Sequence, residues 1–253
     1  MKSSPYRLVQ FKEQIGNVLK LRELVGSRAS MLRVGEHPLA LLFQIERKYL
    51  AAKKLTPAEH QLLGHMTLLA TTLFEVEDSW RGSEERLASQ LLDAKSYEPL
   101  MFELYVMTYV VRGLVGTMDW TPWAPGKDIV TTDPAMEIEC ELSLSSEIDA
   151  VFKKITHARG QSTALKTPFV IAIGFKDEAT QAEAEKINGW CIEQRARLAK
   201  NDASAILVFR RTPAGARSQM LGVPTLILHK GTFVQIINHA ATNPLPTGFG
   251  FAR

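Results

Sequence analysis

The chain has 253 residues and a mass of 28.2 kDa, enough for one large domain or two modest ones. With 45% apolar and 23% charged residues it can bury a sizeable core, which excludes wholesale disorder, and its longest apolar stretches, such as residues 168–175, are too short to span a bilayer. The net charge of +3 hides an asymmetry: residues 1–57 carry 11 Lys/Arg against 4 acids, or +7, and the remaining 196 residues sum to −4. A basic face toward the N-terminal end is therefore expected, either as solvated helix faces or as a surface for a polyanion. The start MKSSPYRLVQFKEQ lacks the apolar segment of a secretory leader. Cys140 and Cys191 are the only cysteines, too few for a disulfide scaffold or a Cys-rich zinc site. A cytoplasmic, non-membrane protein is expected.

The first 95 residues read as helices. Leu8, Phe11, Ile15, Val18, Leu19 and Arg22 follow helical spacing. A second helix is predicted over 39–54, entered after Pro38. Thr56-Pro57-Ala58-Glu59 has the form of a capping box with proline at the first helical position, opening a helix to about Asp78. Arg81-Gly82-Ser83 interrupts it, and Ser83 is expected to cap a short helix reaching about Ala94. No strand-like alternation occurs here, so residues 1–95 are expected to form an all-helical N-terminal domain.

The pattern then changes. A helix is predicted over about 97–112, with Pro99 in its first turn, followed by strands near 117–121, 128–132 and 136–144. A helix over 146–161, a buried-type strand at 168–175, a helix over 180–200 and a strand at 203–210 come next. Strands at 223–229 and 232–237 are expected around a turn at Lys230-Gly231, and residues 241–253, rich in Asn, Pro and Gly, read as a flexible tail. Residues 96–240 thus predict an α/β domain with a mixed sheet flanked by helices.

The most informative stretch runs from Gly126 to Leu142. If Asp133-Pro134 forms a two-residue loop, Thr132 faces Ala135 and Asp128 lies directly across from Glu139. Glu137, Glu139 and Glu141 alternate and share that face, while Ile129, Ile138, Cys140 and Leu142 point to the other. A loop one residue longer would send Asp128 to the opposite face. Like charges this close repel, so either the face is in water or a cation sits among the carboxylates. Two neighbours bear on the choice. Glu103 falls on or beside the apolar stripe Leu100, Leu104, Met107, Val111, Leu114, where a carboxylate is costly unless partnered. Beyond the strands, Lys154, His157 and Gln161 share one helix flank, next to the apolar stripe Ile148, Val151, Phe152, Ile155.

Other chemistries lack their signatures. There is no GxxxxGK[ST], no GxGxxG after a strand, no HExxH and no GxSxG. Trp120 and Trp123 suit core or rim packing, or a groove for bases. Arg210, Arg211 and Arg217 suit a solvated loop or phosphate contact.

With Phe102-Glu103-Leu104-Tyr105-Val106 in a helix, Asp128 in a strand, Ile138-Glu139-Cys140-Glu141 in the next and a helix ending at Gln161, the chain resembles the PD-(D/E)XK, or restriction-endonuclease-like, nuclease superfamily over about residues 95–210. The resemblance does not reach the helical first half. It implies a metal-dependent nuclease hydrolysing phosphodiester bonds, with DNA ahead of RNA as substrate. Asp128 and Glu139 would hold Mg2+ (or Mn2+), with Glu103 assisting through the metal or a water. Glu141 would be the base or a further metal contact, Lys154 would stabilise developing charge, and Gln161 would hold a water or phosphate. The basic N-terminal helices would bind the duplex backbone, a protein partner or a second copy. One position departs from the motif: its lysine is Glu141 here. Some members of the superfamily carry Glu at that position or supply a lysine from the neighbouring helix, a role open to Lys153 or Lys154. The departure also fits the alternative, a catalytically inactive nuclease fold acting as a nucleic-acid-binding or assembly module.

Overall fold

A computed structural model describes residues 16, 19–33, 37–57, 59–60, 70, 73–74, 77–111, 118–124, 127–132, 134–143, 147–161, 166–175, 181–193, 202–212 and 228–246. Two compact units divide between Met101 and Phe102, the second running to Pro213 and resuming at His229.

In the first unit the described elements before Met101 are helical. After a 3-10 turn at Gly26–Met31, helix α1 (Pro38–Leu50) opens with proline at its first position. His37 caps it, its Nδ1 accepting the Leu39 N–H at 3.2 Å. The predicted helix over 39–54 stops at Leu50 instead. Ala52 N–H donates to the Tyr49 carbonyl and Lys53 N–H to that of Lys48, with Ala52 left-handed at φ 52°. This is a Schellman closure with alanine where glycine is usual, so the sequence carries no stop signal there. The capping box forms as read: Thr56 Oγ1 accepts the Glu59 N–H at 3.2 Å, and Glu59 accepts the Thr56 N–H at 2.8 Å. Glu59 also holds Lys48 at 2.6 Å.

Helix α2 (Glu77–Trp80) is followed by a turn through Gly82, whose φ of 89° favours glycine. Helix α3 (Glu84–Leu92) follows with Ser83 at its N-cap position, but the Ser83 side chain makes no capping bond; the Gly82 N–H donates to the Glu84 carboxylate at 2.9 Å instead. Asp93 then starts helix α4 (Ala94–Val111) by accepting the N–H groups of Lys95 and Ser96. The helix therefore begins three residues earlier than predicted, and Pro99 lies inside it rather than in its first turn.

The second unit is α/β. Its strands are β1 (Met118–Ala124), β2 (Lys127–Thr132), β3 (Ala135–Ser143), β4 (Phe169–Phe175), β5 (Ala205–Thr212) and β6 (Leu228–Ile237), joined in one sheet in that order. The sheet is mixed: β1–β2 and β2–β3 are antiparallel, β3–β4 and β4–β5 parallel. The edge strand β1 contains Pro122, and its register with β2 shifts between Trp120 and Ala124. Helix α5 (Ile148–Gln161) links β3 to β4, and α6 (Gln181–Glu193) follows β4. Val151, Ile155 and Ala158 of α5 and Ile187 of α6 pack on Phe169, Ile171, Ile173, Ile206 and Val208. The alternate residue Phe209 meets the edges of Phe102 and Tyr105, which places the α4 segment on the opposite face. Among the described residues no helix is long and apolar enough to cross a membrane.

Two expectations near the C-terminus change. Lys230-Gly231 makes no turn between two strands; both lie inside the continuous β6, because a glycine is tolerated in an extended strand where the chain does not reverse. Of the expected 223–229 strand, residues 223–227 lie outside the described residues. The segment read as a flexible tail from 241 is fastened through 246. Ala241 and Leu245 are buried, the Thr242 N–H donates to Asp202 at 2.7 Å, and Ser204 Oγ donates to the Asn243 carbonyl at 2.6 Å. Residues 247–253 lie outside the described residues.

Ser204→Ala strands the Phe169 N–H, which donates to Ser204 Oγ at 2.7 Å, as well as the Asn243 carbonyl. It is expected to cost about 2–3 kcal/mol in urea denaturation. Ala52→Gly relieves the left-handed strain at the end of α1 and is expected to stabilise by about 1 kcal/mol in the same measurement.

Candidate active site

The β2–β3 hairpin pairs Thr132 with Ala135, Thr131 with Met136, Val130 with Glu137 and Ile129 with Ile138. This is the two-residue-loop register, and Thr131 Oγ1 braces it by donating to the Pro134 carbonyl at 2.5 Å. On the other side of β3, Glu137 pairs with Phe169, Glu139 with Ile171 and Glu141 with Ile173. Paired residues share a face, so all three glutamates lie on the side covered by α5 and α6. They are buried, not solvated: Glu139 is 4% exposed.

Each carboxylate has a different solution to burial. The Glu137 N–H donates across to the Pro168 carbonyl of the β4 side, so the alternate N–H of Cys140 points toward β2. Asp128 takes it, Oδ2 accepting the Cys140 N–H at 2.7 Å. Burial pushes the Asp128 carboxyl up to about 6, against that hydrogen bond, with the charge of Glu141 adding to the rise. Glu141 is met from α5 by two side chains: Lys154 Nζ lies 2.7 Å from Oε2, and His157 Nδ1 bonds Oε1. Lys154 and His157 are three apart on the helix, so one flank serves both oxygens. Glu139 has less. Its Oε2 is buried without a hydrogen-bond partner, and burial, then the charges of Asp128 and Glu141, push its carboxyl up to about 8.

The structure thus brings together Asp128, Glu139, Glu141 and Lys154. Glu103, in α4, is not grouped with them in the same way: its charge bears on the Cys140 thiol, whose pKa rises first through burial and then through Asp128, Glu103, Glu139 and Glu141. Cys140 pairs with Ala172, on the face opposite Glu139. Gln161 is the last residue of α5, and its side chain lies outside the described ones. Among the described residues no three His, Cys, Asp or Glu side chains are grouped to cage an ion. His157 is the site residue that the sequence placed on the correct flank without assigning a role; its spacing from Lys154 was the available signal.

No protein-family model, no curated protein and no solved structure matches this chain.

The folded chain holds the Glu139 proton more tightly than the unfolded chain, whose carboxyl titrates near 4.5. The resulting stabilisation is complete below about pH 4.5 and is lost as pH rises toward about 8. In metal-free buffer Glu139→Gln is therefore expected to match wild type near the acid end. At the upper end it should exceed wild type by roughly 1–3 kcal/mol, about 3–8 °C in melting temperature.

Proposed function

We propose that the chain is a metal-dependent nuclease hydrolysing phosphodiester bonds, DNA ahead of RNA, on a restriction-endonuclease-like α/β domain preceded by a helical N-terminal domain. The observation that carries this reading is the Glu139 carboxyl, 4% exposed and with Oε2 unpartnered, beside Asp128 on the neighbouring strand. A buried oxygen of this kind calls for a proton or a cation. Two carboxylates fit Mg2+ or Mn2+, since Mg2+ is commonly held by one or two carboxylates with waters and substrate phosphate completing its shell.

Asp128 and Glu139 would hold the ion, which when bound polarises the scissile phosphate and acidifies a water. The Cys140 N–H, donating at 2.7 Å, orients the Asp128 carboxylate. Lys154, supplied by α5 and 2.7 Å from Glu141, would take the part of the motif lysine and stabilise charge developing on the phosphoryl oxygens. Glu103 would act through a water. The excess of Lys/Arg in residues 1–57 suits a salt-sensitive contact to the duplex backbone, a protein partner or a second copy. A cytoplasmic location is part of the same reading.

The second reading, a nuclease fold retained as a nucleic-acid-binding or assembly module, draws on one observation. Glu141 replaces the motif lysine and occupies Lys154 and His157 with its own charge.

Incubation with plasmid, single-stranded DNA and RNA is expected to give cleavage in Mn2+ or Mg2+ that EDTA abolishes. Asp128→Asn and Glu139→Ala should lower it by at least about 1,000-fold while circular dichroism stays unchanged. Folded wild-type protein that cuts none of these polymers, and whose melting temperature ignores Mn2+, would favour the binding module.

A further inference from the structure

We propose that the turn closing α1 is a docking surface for a nucleic-acid phosphate backbone, contacted by Arg47, Lys53 and Lys54; the choice of nucleic acid as occupant rests on the nuclease reading above. Residues 47–57 hold four cations, Arg47, Lys48, Lys53 and Lys54, and no acid. The acids that flank the stretch are taken up within the fold. Glu46 is fully buried and binds Arg22 at 2.9 Å, while Glu59 is 9% exposed and binds Lys48 at 2.6 Å and the Thr56 N–H at 2.8 Å. Arg47, Lys53 and Lys54 are exposed, and none has a carboxylate partner among the described residues.

The turn gathers these cations. The Ala51 N–H donates to the Arg47 carbonyl at 3.0 Å and the Lys53 N–H to the Lys48 carbonyl at 2.9 Å, which folds residues 51–53 back onto the last turn of the helix. The same bonds argue against the ordinary use of basic residues at a helix end. The carbonyls of Arg47, Lys48 and Tyr49 already have backbone donors, so no lysine is needed to cap them. Arg47 bonds through Nε, to the Phe43 carbonyl at 3.2 Å, and its terminal nitrogens remain to meet a phosphate. Between the cations lie Leu50, 56% exposed, and the exposed Ala51 and Ala52. These small side chains allow a polymer backbone to approach closely, and Leu50 offers an apolar contact to its sugars.

A surface of one sign attracts a polyanion, and the nuclease reading makes that polyanion a nucleic acid. Contacts made to phosphate hold the polymer without reading its sequence.

The test is equilibrium binding of two fluorescein-labelled DNA duplexes of unrelated sequence, in EDTA, from about 50 to about 200 mM salt. Wild type is compared with Arg47→Gln/Lys53→Gln/Lys54→Gln and with a control of equal charge change at exposed positions elsewhere, Arg81→Gln/Lys95→Gln/Lys186→Gln. Each phosphate neutralised contributes about 0.9 to the slope of log Kd against log salt, so the three cations account for about 2.7. Over this range wild type should lose about 40-fold more affinity than the surface variant, equally for both duplexes, and the control should follow wild type. Should Arg47→Gln lower the melting temperature, Lys53→Gln/Lys54→Gln carries the test alone, with a slope smaller by about 1.8. A surface variant with the wild-type slope, or a control that loses as much, overturns the assignment and leaves the nuclease reading standing. Wild type that binds neither duplex overturns it as well, and capture by vesicles containing phosphatidylserine would then assign the surface to a membrane. Wild type that binds DNA through these residues yet cuts no polymer in Mn2+ overturns the nuclease reading and upholds the surface.

Discussion

The parallel pairing of β3 with β4 is the constraint from which the rest follows. It sets Glu137, Glu139 and Glu141 in line with Phe169, Ile171 and Ile173, on the face that α5 and α6 close. Alternation that would put glutamates in water on an antiparallel edge here puts them under helices. Three carboxylates at core depth cannot be left to hydration, so the surrounding elements must supply protons, hydrogen bonds or cations. Lys154 and the His157 ring of α5 serve Glu141, Glu139 has a raised carboxyl, and the Cys140 N–H serves the neighbouring Asp128.

These responses divide the cluster into unequal members. Glu141 is neutralised from the helix side and Asp128 is oriented by the strand. Glu139 is left with a buried oxygen that nothing in the described chain satisfies. Removing a partner from a buried charge usually costs more than the pair contributes. The same helix that builds the core with Val151 and Ile155 therefore also sets the electrostatics of the site with Lys154 and His157. Packing and chemistry are not separable along α5, since a shift of its axis would move both.

Much of this was legible in the sequence, for identifiable reasons. The hairpin register followed from Asp133-Pro134 as a two-residue loop, and the shared flank of Lys154 and His157 followed from a spacing of three. The capping box at Thr56-Glu59 was readable because its signal is local. What was not readable depends on tertiary context. The end of α1 used alanine in a left-handed turn, so no glycine marked it. Lys230-Gly231 looked like a turn but stayed extended within β6. The segment after β6 looked loose by composition, yet Ser204, 39 residues distant from Asn243, holds it in place. The burial of the glutamates was also beyond reach, because alternation specifies a face but not what covers it.

The edge strand β1 carries one more consequence. Pro122 has no N–H to offer, and the pairing with β2 shifts register around it. Both interrupt the regularity a foreign strand would need to extend the ladder there. A proline on the edge strand disfavours strand addition along this border.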